Sequence, residues 1–254
     1  MSTLFMTWLR PFFLLFFMLN AFHAYADSIE SRPVSETPKR AEFQQLLGKG
    51  AELIQAGMTE EAIRTFDQIT SFYEKEYKNS TSKIYCARTP AESLVYMTTE
   101  AAENAKGVKN PKYKSAVVFS PVWAEAYYLK GFALIEQKKL EAAREALQRA
   151  LELSPMNAQF LIELGQLYTI NKQFDPAMTV YKQAEEAAGF AHEQQKNILI
   201  GHALRSQGYI LIEQNKLEEA VKIYGKALEL DPNDGRAKNQ LRYIEQLRKK
   251  QKTN

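Results

Sequence analysis

Apolar residues along this chain recur at spacings of three and four, the pattern of helices that bury one face, and strict alternation is absent. Only 11 Gly and 9 Pro are present, set at intervals among Ala-, Leu-, Glu- and Gln-rich stretches. Together these features predict an all-α fold of long helices. One run is different. Phe12-Phe13-Leu14-Leu15-Phe16-Phe17-Met18-Leu19 is continuously apolar, follows Arg10, and leads to Ala24-Tyr25-Ala26 before Asp27. That is the layout of a secretory signal, and the small residues at 24 and 26 predict cleavage after Ala26. Asn20 interrupts the run short of the roughly 20 apolar residues a span requires. No cysteine closes it, so no lipoprotein-type anchor is expected, and no later stretch reads as a membrane span. Residues 27–42 are polar, contain Pro33 and Pro38, and predict a flexible lead-in.

The helical pattern also repeats. Ala124-Glu125-Ala126-Tyr127-Tyr128-Leu129-Lys130-Gly131 is matched 34 residues later by Ala158-Gln159-Phe160-Leu161-Ile162-Glu163-Leu164-Gly165. At the same spacing Ala143 matches Ala177, Leu147 matches Tyr181, and Ala150 matches Ala184. A third copy from Gly201 supplies Leu204, Gly208, Leu211, Ala220, Tyr224, Ala227 and Pro232, and Pro155 closes the first. Close approach of two antiparallel helices explains these choices. Gly131, Gly165 and Gly208 in the first helix of each unit face Ala143, Ala177 and Ala220 in the second, so neither side presents bulk. Pro155 and Pro232 terminate the second helices.

These residues resemble the tetratricopeptide repeat family. The resemblance implies a right-handed α-solenoid of antiparallel helix pairs, with units at 124–157, 158–191 and 201–234. An earlier unit at 43–76 carries Gly50, Leu53, Ala62 and Phe66. A degenerate unit at 90–123 keeps Ala116 and Pro121 but has Met97 in place of the glycine and Lys109 in place of the alanine. It predicts a helix over Ala91–Ala102, a loop around Gly107–Pro111 and a short second helix near Tyr113–Phe119. Residues 77–89 read as a linker and 192–200 as a helix extension. Residues 235–254 read as a capping helix with a basic tail, its apolar face made by Ala237, Leu241, Ile244 and Leu247.

The same resemblance implies a protein-interaction module whose concave face, lined by the first helices, receives a peptide or a helix. The inward-facing candidates are Tyr128, Phe132 and Ile135, then Ile162, Gln166 and Thr169, then His202, Arg205 and Tyr209. Such side chains either anchor a bound segment or pack between units, and spacing leaves both readings open. Members that capture C-terminal carboxylates use lysine and asparagine where this chain has Tyr128, Phe132 and Glu163, which disfavours that role here.

Composition narrows the chemistry. With 33 basic and 30 acidic residues and a net charge of +3, nothing points to a nucleic-acid partner. The single cysteine, Cys86, precludes an intramolecular disulfide. It reads as a reactive thiol, as one half of an intermolecular bridge, or, the ordinary case, as a small buried hydrophobe beside Tyr85. His192 and His202, the histidines beyond residue 26, lack partners at metal-ligand spacing. There is no phosphate-binding glycine loop and no nucleophile elbow. The expectation is a non-enzymatic binder of a protein or peptide, without cofactor or metal, in the cell envelope. The periplasm of a Gram-negative bacterium is the favoured compartment and secretion the alternative. Self-association into an envelope assembly is the alternative function, and a thiol enzyme using Cys86 the least favoured.

Overall fold

The computed structural model describes residues 39–105, 113 and 115–253. The predicted signal, most of the lead-in and the predicted loop at 107–111 lie outside the described residues. In chain order the elements are α1 (Arg40–Gln55), α2 (Thr59–Glu76), β1 (Ser82–Cys86), α3 (Pro90–Ala105), β2 (Ser115–Phe119), α4 (Val122–Glu136), α5 (Leu140–Leu153), α6 (Ala158–Ile170), α7 (Phe174–Ala187), a 3-10 turn (Ala188–Phe190), α8 (Glu193–Glu213), α9 (Leu217–Leu230) and α10 (Gly235–Thr253). The fold is an all-α solenoid in which α1/α2, α4/α5, α6/α7 and α8/α9 pack as pairs and α10 packs on α9 at the end.

The small residues sit where the helices cross. Ala62, Ala143, Ala177 and Ala220 are completely buried. A methyl group on Gly165 would lie 2.6 Å from the Tyr181 ring, and one on Gly208 2.7 Å from the Tyr224 ring. At Gly50 the corresponding distance to Phe66 is 2.3 Å. The second helix of each pair therefore lays a large side chain directly onto the glycine of the first.

Within each pair the turn is the same device used four times. Gly57, Lys138, Lys172 and Asn215 adopt positive φ just past the first helix. The next residue's N–H then bonds back across the turn, as Lys139 to the Leu134 carbonyl (2.9 Å) and Gln173 to the Tyr168 carbonyl (2.8 Å). This closure satisfies carbonyls that the helix end leaves unpaired. Pro155 and Pro232 stand just beyond the ends of α5 and α9.

The segment at 82–119 is not a repeat. Where a second helix was expected near Tyr113–Phe119, Ser115–Phe119 forms a strand, and the linker at 77–89 contributes the strand Ser82–Cys86 before α3. The two strands pair in parallel, Ser82 with Ser115 through Cys86 with Phe119. The physical reason lies in the sequence. Ile84, Val117 and Val118 favour a pleated backbone, and without the crossing glycine and alanine nothing draws a second helix onto α3. The unit is a β-α-β insert, and α2 packs directly on α4 past it. Tyr73 of α2 stacks on Trp123 of α4 at 5.0 Å, and Tyr127 of α4 donates to Glu74 of α2 at 2.8 Å.

Paired residues of a parallel sheet share a face. Ile84, Cys86, Val117 and Phe119 turn to the solenoid core, with Phe119 against Tyr77 at 4.9 Å. The opposite face carries Tyr85, stacked on Tyr96 of α3 at 4.9 Å. The sheet is thus held between the solenoid and α3.

Candidate peptide-binding surface

The first helices α4, α6 and α8 present the predicted inward-facing residues, and the structure divides them into two groups. Tyr128, Phe132 and Ile162 are buried at 3%, 6% and 0% exposure and belong to the packing between units. Tyr128 stacks on Phe160 of α6 at 4.7 Å. The aromatic rings that suggested an anchor surface are what one repeat uses to grip the next. Ile135, Gln166, Thr169, His202, Arg205 and Tyr209 remain partly exposed, so the available surface shifts toward α6 and α8.

There the lining is polar and cross-braced. Gln166 Nε2 and His202 Nε2 lie 3.2 Å apart, bridging α6 to α8. Burial, reinforced by Arg205 and Arg236, lowers the His202 pKa to about 3, so the ring is neutral at physiological pH. Arg205 donates to Asp234 at 2.6 Å, and Asp234 in turn caps α10 by accepting from Ala237 N–H at 3.0 Å. Thr169 donates to the Gly165 carbonyl at 2.8 Å. These bonds fix the side chains before any partner arrives, which reduces the ordering cost of binding.

A second polar cluster, absent from the sequence expectations, lies where the insert meets the rim of the solenoid. Thr89-Pro90-Ala91-Glu92 opens α3 as a capping box. Glu92 N–H donates to Thr89 Oγ1 at 3.0 Å, and the Glu92 carboxylate accepts from Arg88 N–H at 2.7 Å. The Arg88 guanidinium adds a second bond to the same carboxylate at 2.7 Å. Glu92 is completely buried. Burial raises the Glu125 pKa to about 7, Arg88 opposing and Glu92 assisting. Burial also raises that of Glu163 to about 7, against a bond from Gln159. Three ties run to later repeats. Ser154 donates to the Cys86 carbonyl (2.5 Å), Thr89 Oγ1 to the Phe190 carbonyl (3.0 Å), and Met156 N–H to the Tyr96 hydroxyl (3.3 Å). The Ser/Thr-x-x-Glu spacing at 89–92 was the signal that could have located this cluster.

Cys86 is completely buried in the core. Among the described residues no three His, Cys, Asp or Glu side chains cluster to hold a metal, and no helix is long and apolar enough to cross a membrane.

A solenoid of helix pairs gripped at glycine–alanine crossings is a helical-repeat scaffold by class. Residues 131–169 and 208–241 match the family described as TPR repeat, and residues 158–189 the family described as tetratricopeptide repeat. Those stretches of the chain carry tetratricopeptide repeats. It is similar to the formate-dependent nitrite reductase complex bifunctional subunit NrfFG of Haemophilus influenzae, 29% identical over 99 residues. That match covers 39% of this chain and only 24% of the relative. Two solved structures share the fold. PilF of Pseudomonas aeruginosa has a TM-score of 0.54 and 13% identity, covering 84% of this chain and 72% of that one. MamA of Desulfovibrio magneticus RS-1 has a TM-score of 0.53 and 16% identity, covering 86% and 90%.

Proposed function

We propose that this protein is a non-enzymatic adaptor of the cell envelope that binds a protein or peptide partner on the face formed by α6 and α8. The carrying observation is the pre-set polar array of Gln166, Thr169, His202, Arg205 and Tyr209, partly exposed on adjacent first helices. A rigid surface of this kind offers directional hydrogen bonds and one aromatic ring, Tyr209, to an incoming segment. The name of the Haemophilus relative, a subunit of an enzyme complex, supports service within an assembly. The signal-like residues 1–26 support export, with the periplasm as the compartment. Amino-terminal sequencing of the chain from an envelope fraction tests that part, with Asp27 as the expected first residue.

The binding experiment is affinity capture from envelope extract with the native chain and a Gln166→Ala/Tyr209→Ala variant. Both substituted side chains are partly exposed, so the variant keeps its packing, whereas truncating Tyr128 or Phe132 would open the core. A partner held by the native chain and lost by the folded variant supports the reading. A partner held equally by both removes this face as the binding surface.

A further inference from the structure

The insert leaves one edge of its sheet open. Ala87 N–H donates to the Phe119 carbonyl at 3.0 Å, and with the parallel register this fixes the parity of the ladder. Ser115, Val117 and Phe119 turn their backbone groups toward β1, whereas Ala116 and Val118 turn theirs away. On the other edge the outward groups belong to Ile84 and Cys86, and the Cys86 carbonyl is taken by Ser154 in the turn between α5 and α6. The β2 edge has no equivalent. Among the described residues, the hydrogen bonds give the outward N–H and carbonyl groups of Ala116 and Val118 no partner, and β2 packs chiefly on β1 and α3. Edge strands are normally protected by charge, proline or a bulge. Ser-Ala-Val-Val-Phe has no charge and no proline, and its register is unbroken.

We propose that β2 pairs with β2 of a second copy of this chain, antiparallel about a two-fold axis at Val117. The self-complementarity of the open groups selects this occupant. With the axis at Val117, Ala116 stands opposite the partner subunit's Val118, and Val118 opposite the partner subunit's Ala116. Each such pair exchanges two N–H···O bonds, so every outward group of both strands is satisfied. Any other antiparallel register pairs one of the two residues with a position outside the strand. The contact is isologous and closes at two copies. It also turns a two-stranded sheet, marginal by itself, into a four-stranded one in the order β1-β2-β2-β1. Because paired residues share a face, both α3 helices lie on the same side of the joined sheet. Two five-residue strands bury a small area by themselves, and Leu94 and Met97 of α3, 65% and 44% exposed, are open apolar side chains on the same insert.

The test joins two measurements on the purified full chain over a wide concentration range: mass by sedimentation, and residue-resolved amide exchange. The expected result is a rise from one copy to two. With it, exchange slows by roughly tenfold or more at Ala116 and Val118, while Val117 and Phe119, already bonded to β1, stay as they were. Val118→Pro removes an N–H that points away from β1, a position where proline is tolerated, and should hold the chain at one copy with its helical circular dichroism intact. A chain that stays at one copy with fast exchange at both residues overturns the proposal. So does a pair that forms equally well in Val118→Pro. Slow exchange at Ala116 and Val118 in a one-copy particle carrying a co-purified peptide would also overturn it, and would assign the edge to a foreign strand. None of these outcomes depends on Gln166 or Tyr209, so the adaptor reading stands or falls separately.

Discussion

Glu163 is 4% exposed, and its one hydrogen-bond donor in the described network is Gln159 Nε2 at 3.3 Å. Burial puts its pKa near 7, above the ordinary 4.5. Glu125 is displaced in the same direction. For a carboxyl whose folded pKa is raised, the stabilising contribution is complete below the unfolded value and is lost as pH rises through the folded one. The chain should therefore lose stability between about pH 5 and pH 8 by this route. Glu163→Gln keeps the acceptor for Gln159 and removes the charge. Its denaturation midpoint should match the native chain at the acid end, exceed it at the alkaline end, and vary less with pH. A second prediction at this scale concerns the crossings. Gly165→Ala drives a methyl group into the Tyr181 ring, whereas at Gly131 the nearest atom is Leu147 Cγ at 3.0 Å, on a side chain able to shift. Gly165→Ala should cost about 1–3 kcal/mol and Gly131→Ala distinctly less; urea titration of both variants checks the order. The repeat pattern foresaw the glycines, but which ring meets which glycine is a property of the assembled pair.

At the scale of elements, α3 shows both the reach and the limit of local pattern. Its first turn is specified by Thr89, Pro90 and Glu92, and a helix there was expected from the sequence. The strands were not. Five-residue apolar runs carry no periodicity that separates strand from helix, and a parallel pair becomes visible only when Ser82–Cys86 and Ser115–Phe119 are brought together across α3. What docks the insert is equally non-local: Thr89 reaches the Phe190 carbonyl, Ser154 the Cys86 carbonyl and Met156 N–H the Tyr96 hydroxyl, while inside the insert Arg88 covers the buried Glu92. Arg88→Ala leaves Glu92 buried without its cationic partner, and should destabilise by about 3–5 kcal/mol. Hydrogen exchange should show the amides of α3 opening first, ahead of those of α4 and α5. Equal opening everywhere would mean that the insert and the solenoid unfold as one unit.

For the whole molecule, stability is transmitted from neighbour to neighbour. Each helix pair packs on the next, and α10 covers the apolar side of the last with Ala237 and Ile244, both completely buried. In a quasi-linear array, damage at one end is felt chiefly nearby. Ile244→Ala should cost about 2–4 kcal/mol. It should speed amide exchange in α8, α9 and α10 while leaving α1, α2 and α4 close to native. Uniform acceleration along the chain would show that the array behaves as a single cooperative block.

By itself the sequence determined the repeat: helix pairs, their crossing glycines and alanines, the prolines that end them and the apolar face of α10. These are local or one-pair properties, written in residue size and in a 34-residue spacing. Only the tertiary structure decided which inward-facing residues stay open. Tyr128 and Ile162 occupy comparable places to Arg205, yet the first two are sealed by a neighbouring repeat and the third is left partly exposed beside Asp234. Burial depends on what the next unit places opposite a residue, and spacing within one unit cannot carry that information. The same holds for the insert, where 33 residues separate the hydroxyls of Ser82 and Ser115 in the chain and 2.7 Å separate them in space.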